Sequence, residues 1–208
     1  MKCNPTPLLA LAAWAQISLC HGANPVLTAP GADPHAAIFG SRCYVYATEA
    51  GKTEPGFAVW SSPDLVNWTN HGMALRFADT TWAKHQDWAP GIIERDGKYF
   101  LYFSAQSSIG VAVSDNPTGP FKDALGGPLV PFKDDLSSID PMAFVDDDGQ
   151  AYLYYGAVPG SWLKGKVAKI YNHLFVRKLN RDMISFSGPE LATVETDGEK
   201  GPHIEGSF

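Results

Sequence analysis

Apolar residues along the chain form paired runs, and a short polar turn joins the two runs of each pair. The clearest pairs read DPHAAIFGSRCYVYAT from Asp33, APGIIERDGKYFLYFSA from Ala89 and DPMAFVDDDGQAYLYYG from Asp140. The apolar positions run almost continuously, which is typical of strands that are covered on both faces. Asp-Gly between two apolar runs is a strong hairpin signal. The pattern therefore predicts a repeated β-hairpin unit inside a stack of sheets.

Further strand patterns extend each hairpin into a larger repeat. The predicted strands cover residues 35–39, 43–48 and 57–61, then 92–94, 98–105 and 109–115, then 142–145, 151–157, 168–172 and 174–180. Residues 167–179 are ambiguous by periodicity, and we interpret them as two strands by analogy with the earlier repeats. In the intervening SSPDLVNWTNHG, Pro63 and Asp64 favour a turn that Trp68 can pin to the sheet.

The repeat length predicts the fold class. The repeats start at Asp33, Ala89 and Asp140, and a fourth start, EGSF, opens at Glu205, so successive starts lie 56, 51 and 65 residues apart. Repeats of this length with about four short strands are typical of an all-β protein, a β-propeller. Propellers close with roughly four to eight blades. We therefore expect a truncated propeller of about three blades plus the start of a fourth.

The N-terminal segment has the pattern of an export signal. Lys2 precedes an apolar run at residues 8–19, which is too short for the roughly 20 residues of a membrane span. We predict a cleaved signal peptide at 1–23, a repeat domain at 24–208, and a secreted or periplasmic protein without a membrane span. Lipid anchoring at Cys20 is the less favoured alternative. Cys43 lies alone in a strand pattern, so no disulfide framework is expected.

Composition narrows the kinds of partner. The chain has 208 residues, a formal net charge of −6, 18% charged residues and 12% aromatic residues. An acidic protein lacks the basic face that nucleic acid requires, so we expect no nucleic-acid partner. Few charges with many aromatic residues suit an all-β protein with an aromatic-lined site, and do not suit a disordered chain. The oligomeric state is left open.

Three acids begin repeats at the same position, and this is the strongest sign of chemistry. Asp33, Asp140 and Glu205 would converge on the axis of a radial repeat, whereas Ala89 stands where a fourth acid would be. Asp-Pro by itself commonly starts a turn or an edge strand without any chemistry. Convergent carboxylates in an aromatic-rich, acidic protein nevertheless favour the cleavage of sugars.

Six motifs in order resemble the N-terminal part of glycoside hydrolase family 43. They are ADP at 32–34, SSPDLVNWTNHG at 61–72, WAPGIIERDGKYFLYFS at 88–104, SDNPTGPF at 114–121, IDPMAFVDDDGQAYLYYG at 139–156 and IEGSF at 204–208. The resemblance covers residues 24–208. It implies a five-bladed β-propeller that acts on arabinose- or xylose-containing plant cell-wall polysaccharides or oligosaccharides.

The resemblance also implies a role for each acid. Asp33 matches the general base, Glu205 the general acid, and Asp140 the acid that orients the system and tunes the pKa of the general acid. Inverting glycosidases place two carboxyl groups roughly 6.5–9.5 Å apart, which leaves room for the attacking water. The general acid must be protonated at working pH, and a neighbouring anion such as Asp140 would raise its pKa.

Other residues are candidates for contact with a sugar. Trp88 could stack on a sugar face, and Trp82, His85 and Gln86 lie just upstream in WAKHQDWAP and could line the same mouth. Two further candidates, each with a structural role as the favoured alternative, are His35 and Phe57. His203 flanks Glu205 in the same way.

No cofactor is expected to be required. Residues 146–149 read Asp-Asp-Asp-Gly but lack the alternating spacing of a calcium loop, so we predict a hairpin turn there. Members of the resembled family often hold an ion in the central channel, but this sequence does not support a structural calcium.

Several functional alternatives stay open on the sequence. The first is an arabinofuranosidase or β-xylosidase, and an endo-acting arabinanase is not separated from it, although WAKHQDWAP favours an exo enzyme by resemblance. The second is a non-catalytic carbohydrate-binding or inactive propeller fragment, because the C-terminal blades of the family are missing. A related retaining, fructan-cleaving propeller is the weakest, because those proteins carry an Asn- or Trp-rich stretch where this chain has residues 30–32.

Overall fold

The computed structural model describes residue 27 and residues 31–48, 54–159 and 173–195. These residues form strands and one short 3-10 helix, Phe77–Asp79. The strands are β1 Ala32–Phe39, β2 Arg42–Thr48, β3 Gly56–Ser62, β4 Thr69–Arg76, β5 Trp88–Arg95, β6 Lys98–Ala105, β7 Ser108–Ser114, β8 Lys122–Asp123, β9 Leu136–Val145, β10 Ala151–Pro159, β11 His173–Leu179 and β12 Leu191–Glu195.

The strands form three separate sheets of four strands each, and every pairing is antiparallel. Sequence neighbours pair in order, so blade 1 is β1–β4, blade 2 is β5–β8 and blade 3 is β9–β12. Short hairpin connections favour this order because they bring consecutive strands side by side in antiparallel pairs. The predicted all-β propeller architecture is confirmed in these three blades.

The first strand of each blade lies next to the first strand of the following blade. Strand β1 contacts β5, and β5 contacts β9. At Gly91 the strands approach so closely that an added Cβ atom would lie 2.3 Å from the carbonyl oxygen of Pro141. Only a residue without a side chain permits this approach. The first strands are therefore the inner strands, where residues of different blades meet.

Two apolar cores hold the blades together, and strand β6 contributes to both. Leu101 and Phe103 enter the core between blades 1 and 2, whereas Phe100 and Tyr102 enter the core between blades 2 and 3. Successive side chains of a strand point to opposite faces, so a strand between two cores must be apolar at every position. This explains the continuous apolar run in the sequence.

Aromatic rings dominate the first core. The rings of Phe57, Phe77 and Phe103 contact one another with centroids 5.4–5.9 Å apart. Such tilted and edge-on pairs add to the stabilisation from burial of their apolar surface. The contacts of Phe57 and Phe77 with Phe103 join blade 1 to blade 2.

Predicted and observed strands agree best near the axis. The paired inner hairpins were predicted, and β11 coincides with the predicted strand at 174–180. The outer strands β4, β8 and β12 were not named, because β4 is largely exposed and β8 has only two residues. The strand predicted at 168–172 lies outside the described residues.

Both predicted turns form, and aspartate side chains organise them. The Asp64 carboxylate accepts hydrogen bonds from the backbone N–H groups of Val66 and Asn67, at 2.9 and 2.7 Å. These bonds hold the pKa of Asp64 below its usual range. Trp68 was predicted to pin this turn to the sheet. Its indole N–H instead donates to the Leu65 carbonyl within the same turn.

At the other turn, the Asp146 carbonyl accepts the Gly149 N–H at 2.8 Å, which closes the hairpin between β9 and β10. Residues 146–149 thus form the predicted hairpin turn. Among the residues that the structure describes, no helix is long and apolar enough to cross a membrane. The predicted signal peptide at 1–23, His203 and Glu205 lie outside the described residues.

Candidate active site

The three repeat positions predicted from the sequence adopt the same unusual backbone. Asp33, Ala89 and Asp140 have φ values of 47°, 38° and 55°, in the left-handed region that residues with a side chain rarely adopt. Each precedes a proline, which restricts its backbone further. Three blades therefore share one strained conformation at one position.

A β-bulge accompanies this conformation in each blade. The register shifts between Ala32 and His35 in blade 1 and between Trp88 and Gly91 in blade 2. In blade 3 the shift lies opposite Tyr154 and Gly156, at the level of Asp140. A bulge inserts an extra residue, bends its strand and re-aims a side chain. The acid positions thus stand out of the regular pleat of the inner strands.

Solvent access differs between the two described acids. Asp33 is exposed, whereas Asp140 is half-buried. They belong to blades 1 and 3, and the inner strand of blade 2 lies between their strands. Ala89, which is only 2% exposed, occupies the corresponding position of that middle strand. The arrangement places two carboxylates on either side of a small apolar residue.

Hydroxyl groups from the preceding blade hold two of these positions. The Ala89 N–H donates to the Thr48 hydroxyl at 2.7 Å, and the Asp140 N–H donates to the Ser104 hydroxyl at 3.0 Å. Thr48 pairs with the residue before Asp33, and Ser104 pairs with the residue before Ala89. The two hydroxyl groups therefore occupy equivalent places in consecutive blades.

The position two residues after each acid position varies more. It holds His35 in blade 1, Gly91 in blade 2 and Met142 in blade 3. His35 is 8% exposed, and its Nδ1 atom has no hydrogen-bond partner among the described residues. Burial lowers the pKa of His35, because the interior disfavours the charged imidazolium. A neutral imidazole is therefore expected beside Asp33 in sequence.

The segment WAKHQDWAP is anchored to both neighbouring sheets. The Gln86 side-chain oxygen accepts the Ser107 N–H at 2.8 Å, and the Asp87 carboxylate accepts the Gly56 N–H at 3.1 Å. His85 is exposed and accepts the Gln106 N–H through its carbonyl at 3.2 Å. The side-chain oxygen of Gln86 is therefore bonded within the fold. Gln86 stays a predicted sugar contact through its amide nitrogen.

Three aromatic candidates have different surroundings. Trp88 is half-buried at the start of β5, beside the acid position of blade 2. Trp82 instead stacks on Phe103 with ring centroids 6.0 Å apart, and its indole nitrogen is buried without a partner among the described residues. Phe57 has no exposed surface and belongs to the core between blades 1 and 2.

These surroundings correct part of the predicted binding set. A ring with no exposed surface cannot touch a sugar, so Phe57 has the core role that was the favoured alternative. Trp82 stacks on Phe103 at the edge of the same core but is only half-buried, so it stays a predicted sugar contact. Trp88 and His85 also keep accessible surface at the inner end of blade 2 and remain predicted sugar contacts.

Nothing in the described donor set defines a metal centre. No group of three or more His, Cys, Asp and Glu side chains within residues 31–48, 54–159 and 173–195 is placed to hold an ion. What the site offers chemically is a pair of carboxylates on inner strands, a buried neutral imidazole and a half-buried indole.

Sequence reasoning missed Thr48, Ser104 and Asp87. A signal for the two hydroxyl residues was present, because Thr48 and Ser104 each lie 15 residues after the acid position of their own repeat. Their bonds cross to the next blade, and a pattern within one repeat cannot show a partner in another. Asp87 bonds to a backbone group 31 residues away, which leaves no local pattern.

The family model for glycosyl hydrolases family 43 matches residues 22–208. The chain belongs to this family. The chain spans about half the length of the curated relatives it matches.

The names of the relatives refer to different sugars. The chain is 39% identical over 153 residues to a xylosidase/arabinosidase 43A of Humicola insolens. This alignment covers 64% of this chain and 45% of the relative. It is 32% identical over 196 residues to the β-D-galactofuranosidase xynD of Aspergillus niger, over 86% of this chain and 54% of the relative.

A solved structure supports the fold directly. An α-L-arabinofuranosidase from Clostridium thermocellum aligns with a TM-score of 0.63 and 38% sequence identity, over 77% of this chain and 55% of that structure.

Proposed function

We propose that this protein hydrolyses glycosidic bonds of arabinose- or xylose-containing plant polysaccharides or oligosaccharides with inversion at the anomeric carbon. One observation supports this most strongly: Asp33 and Asp140 occupy the same left-handed, bulged position on the inner strands of two blades. The same backbone at Ala89 indicates that the fold imposes this position, so the support for chemistry comes from the acids that occupy two of its three described copies.

The proposed mechanism gives each carboxyl group one task. Asp33 is exposed, so an attacking water can reach it, and its carboxylate would take a proton from that water. The water oxygen then bonds to the anomeric carbon as the bond to the leaving oxygen breaks. Glu205, the third acid of the repeat, is proposed to protonate that leaving oxygen.

Asp140 is proposed to act through charge and orientation. It is half-buried, so its negative charge would be weakly screened. A nearby anion raises the pKa of a carboxylic acid, and this keeps the general acid protonated at working pH. Asp140 therefore supports proton donation without taking the proton itself.

The substrate class follows from the family and from the names of relatives. Two of them are named xylosidase/arabinosidase and α-L-arabinofuranosidase. We propose a terminal α-L-arabinofuranosyl or β-D-xylosyl unit as the sugar that is released. The plant polysaccharides that carry these sugars lie outside cells, which is consistent with the export signal proposed for residues 1–23.

The test is hydrolysis of 4-nitrophenyl α-L-arabinofuranoside and 4-nitrophenyl β-D-xyloside by the full-length protein, followed by proton NMR of the first sugar formed. Inversion predicts that the product initially has the anomeric configuration opposite to that of the substrate. A product with retained configuration would contradict the single-displacement mechanism.

Binding provides the second arm of the test. Isothermal titration with arabino- and xylo-oligosaccharides distinguishes a catalyst from a non-catalytic carbohydrate-binding propeller. Tight binding without turnover on either aryl glycoside would overturn the proposed activity and favour the binding role. Turnover of both substrates, with a preference measured by kcat/KM, would define the released sugar.

A further inference from the structure

Ser104 is placed to control the backbone that carries Asp140. Its hydroxyl accepts the Asp140 N–H at 3.0 Å, and its side chain is only 1% exposed. The bond crosses from blade 2 to blade 3. A left-handed residue at a bulge has lost its regular partner in the ladder, so an outside acceptor is needed to satisfy its N–H group.

The same device recurs one blade earlier, where it serves no acid. Thr48, which is 8% exposed, accepts the Ala89 N–H at 2.7 Å. Ala89 has the same left-handed backbone as Asp140 but no carboxylate. The recurrence shows that the bond belongs to the fold of the inner strands. Its consequence for chemistry arises only where the held residue is an acid.

We propose that Ser104 is a positioning residue for the hydrolytic reaction, acting through the backbone of Asp140. The inference rests on the proposed function, because it needs Asp140 to have a role in turnover. The backbone N–H and the carboxyl group belong to one residue, so fixing φ of Asp140 fixes the direction from which its side chain leaves the strand. Ser104 itself does not touch the substrate.

The geometry gives a specific expectation for Ser104→Ala. Loss of the acceptor frees the Asp140 N–H to turn toward another partner, and the carboxyl group moves with it. Misplacement of a functional group by about 1 Å can cost roughly 100-fold in rate. We expect kcat to fall about 10- to 100-fold with a smaller change in KM, because the carboxyl group that moves is proposed to support proton donation and not to bind the sugar.

The experiment compares Ser104→Ala with two matched variants in the full-length protein. Thr48→Ala removes the equivalent bond at Ala89, so it should destabilise the fold to a similar degree but lower kcat less, because Ala89 carries no carboxylate. Ser104→Thr keeps a hydroxyl, and Thr already fills this place at residue 48, so it should restore most of the lost kcat. Amide hydrogen exchange at Asp140 should accelerate in Ser104→Ala.

The outcomes separate this proposal from the one it rests on. If the wild type has no glycosidase activity, the proposed function is wrong and Ser104 has no reaction to support. If the wild type is active but Ser104→Ala keeps its kcat, the positioning role alone is overturned. Equal losses of kcat in Ser104→Ala and Thr48→Ala would also overturn it, because the bond would then act only through stability.

Discussion

The inner strands of blades 2 and 3 turn at the same place with the same backbone, and yet only one carries an acid there. Ala89 and Asp140 both have left-handed φ values, both precede proline, and both donate their N–H group to a hydroxyl of the preceding blade. The difference is that Ala89 is fully buried whereas Asp140 keeps access to solvent.

The comparison separates what the fold requires from what the chemistry requires. The bulge and its hydrogen bond appear with or without a carboxylate, so they are structural features of the propeller repeat. The acid is an addition to a position that the fold already distorts. A strained position that is repeated offers the same exit direction several times, and chemistry can be placed at some copies and omitted at others.

Asp140→Asn is expected to have the largest effect of the variants that probe this comparison. The amide keeps the shape of the side chain but removes its charge, so the backbone should stay in place while turnover falls by roughly 100-fold or more. The measurement is kcat on an aryl glycoside together with the thermal unfolding midpoint.

Asp115→Asn is the matched control for that variant. Asp115 is 77% exposed and pairs with Lys98 at 2.7 Å on the outer part of blade 2. Surface ion pairs of this kind contribute about 0–1 kcal/mol, so turnover and stability should both stay near wild type. Equal activity of Asp140→Asn and Asp115→Asn would remove Asp140 from the site.

Gly91→Ala tests whether the close approach of the inner strands is essential. The new methyl group would lie 2.3 Å from the Pro141 carbonyl oxygen, and backbone cannot move aside as a flexible side chain can. We expect a loss of about 3 kcal/mol in the free energy of unfolding, at the upper end of overpacking effects. Chemical denaturation measures it.

Gly127→Ala is the control, because a Cβ atom there would meet nothing within 4 Å. It should leave the unfolding free energy unchanged or slightly higher, since alanine restricts the unfolded chain. A Gly91→Ala protein as stable as Gly127→Ala would show that β5 and β9 do not need to approach so closely.

His35 is expected to give the smallest effect, on how stability depends on pH. Because burial lowers its pKa in the folded protein, the unfolded chain takes up the proton first as pH falls. Its contribution is therefore complete above the unfolded pKa of about 6.5 and is lost progressively as pH drops below that value.

His35→Gln should reduce the fall in denaturant midpoint between pH 7.5 and pH 5.5. An identical pH dependence in wild type and His35→Gln would contradict a lowered pKa of His35 in the folded protein.

The sequence predicted the features that recur together with apolar runs. It missed strands that are largely exposed and side chains whose partners lie in another blade. The inner hairpins and the equivalence of Asp33, Ala89 and Asp140 were visible because they recur with apolar runs beside them. Strand β4 begins with four exposed residues at Thr69, so it has little apolar pattern to detect. Its apolar pattern is weak because only the last part of the strand is buried.

Site residues were harder to predict when their partners lie in another blade. Phe57 and Trp82 were both candidates for contact with a sugar, but both rings pack against Phe103 of blade 2. Phe57 is fully buried there, and Trp82 lies at the edge of the same core. Ser104 ends the motif at 88–104, but nothing in that motif shows that its hydroxyl bonds to the backbone of Asp140. Pairwise contacts between blades decide such roles, and a single sequence does not record them.

The measurement that tests the account most directly is the turnover of Asp33→Asn in the full-length protein, with folding verified by circular dichroism. Asp33 is the exposed acid at the repeated position, and its loss should remove the general base. The account predicts a fall in kcat of roughly 100- to 10,000-fold on the preferred aryl glycoside. Turnover near that of the wild type would contradict the account, because the repeated acid position would then have no part in catalysis.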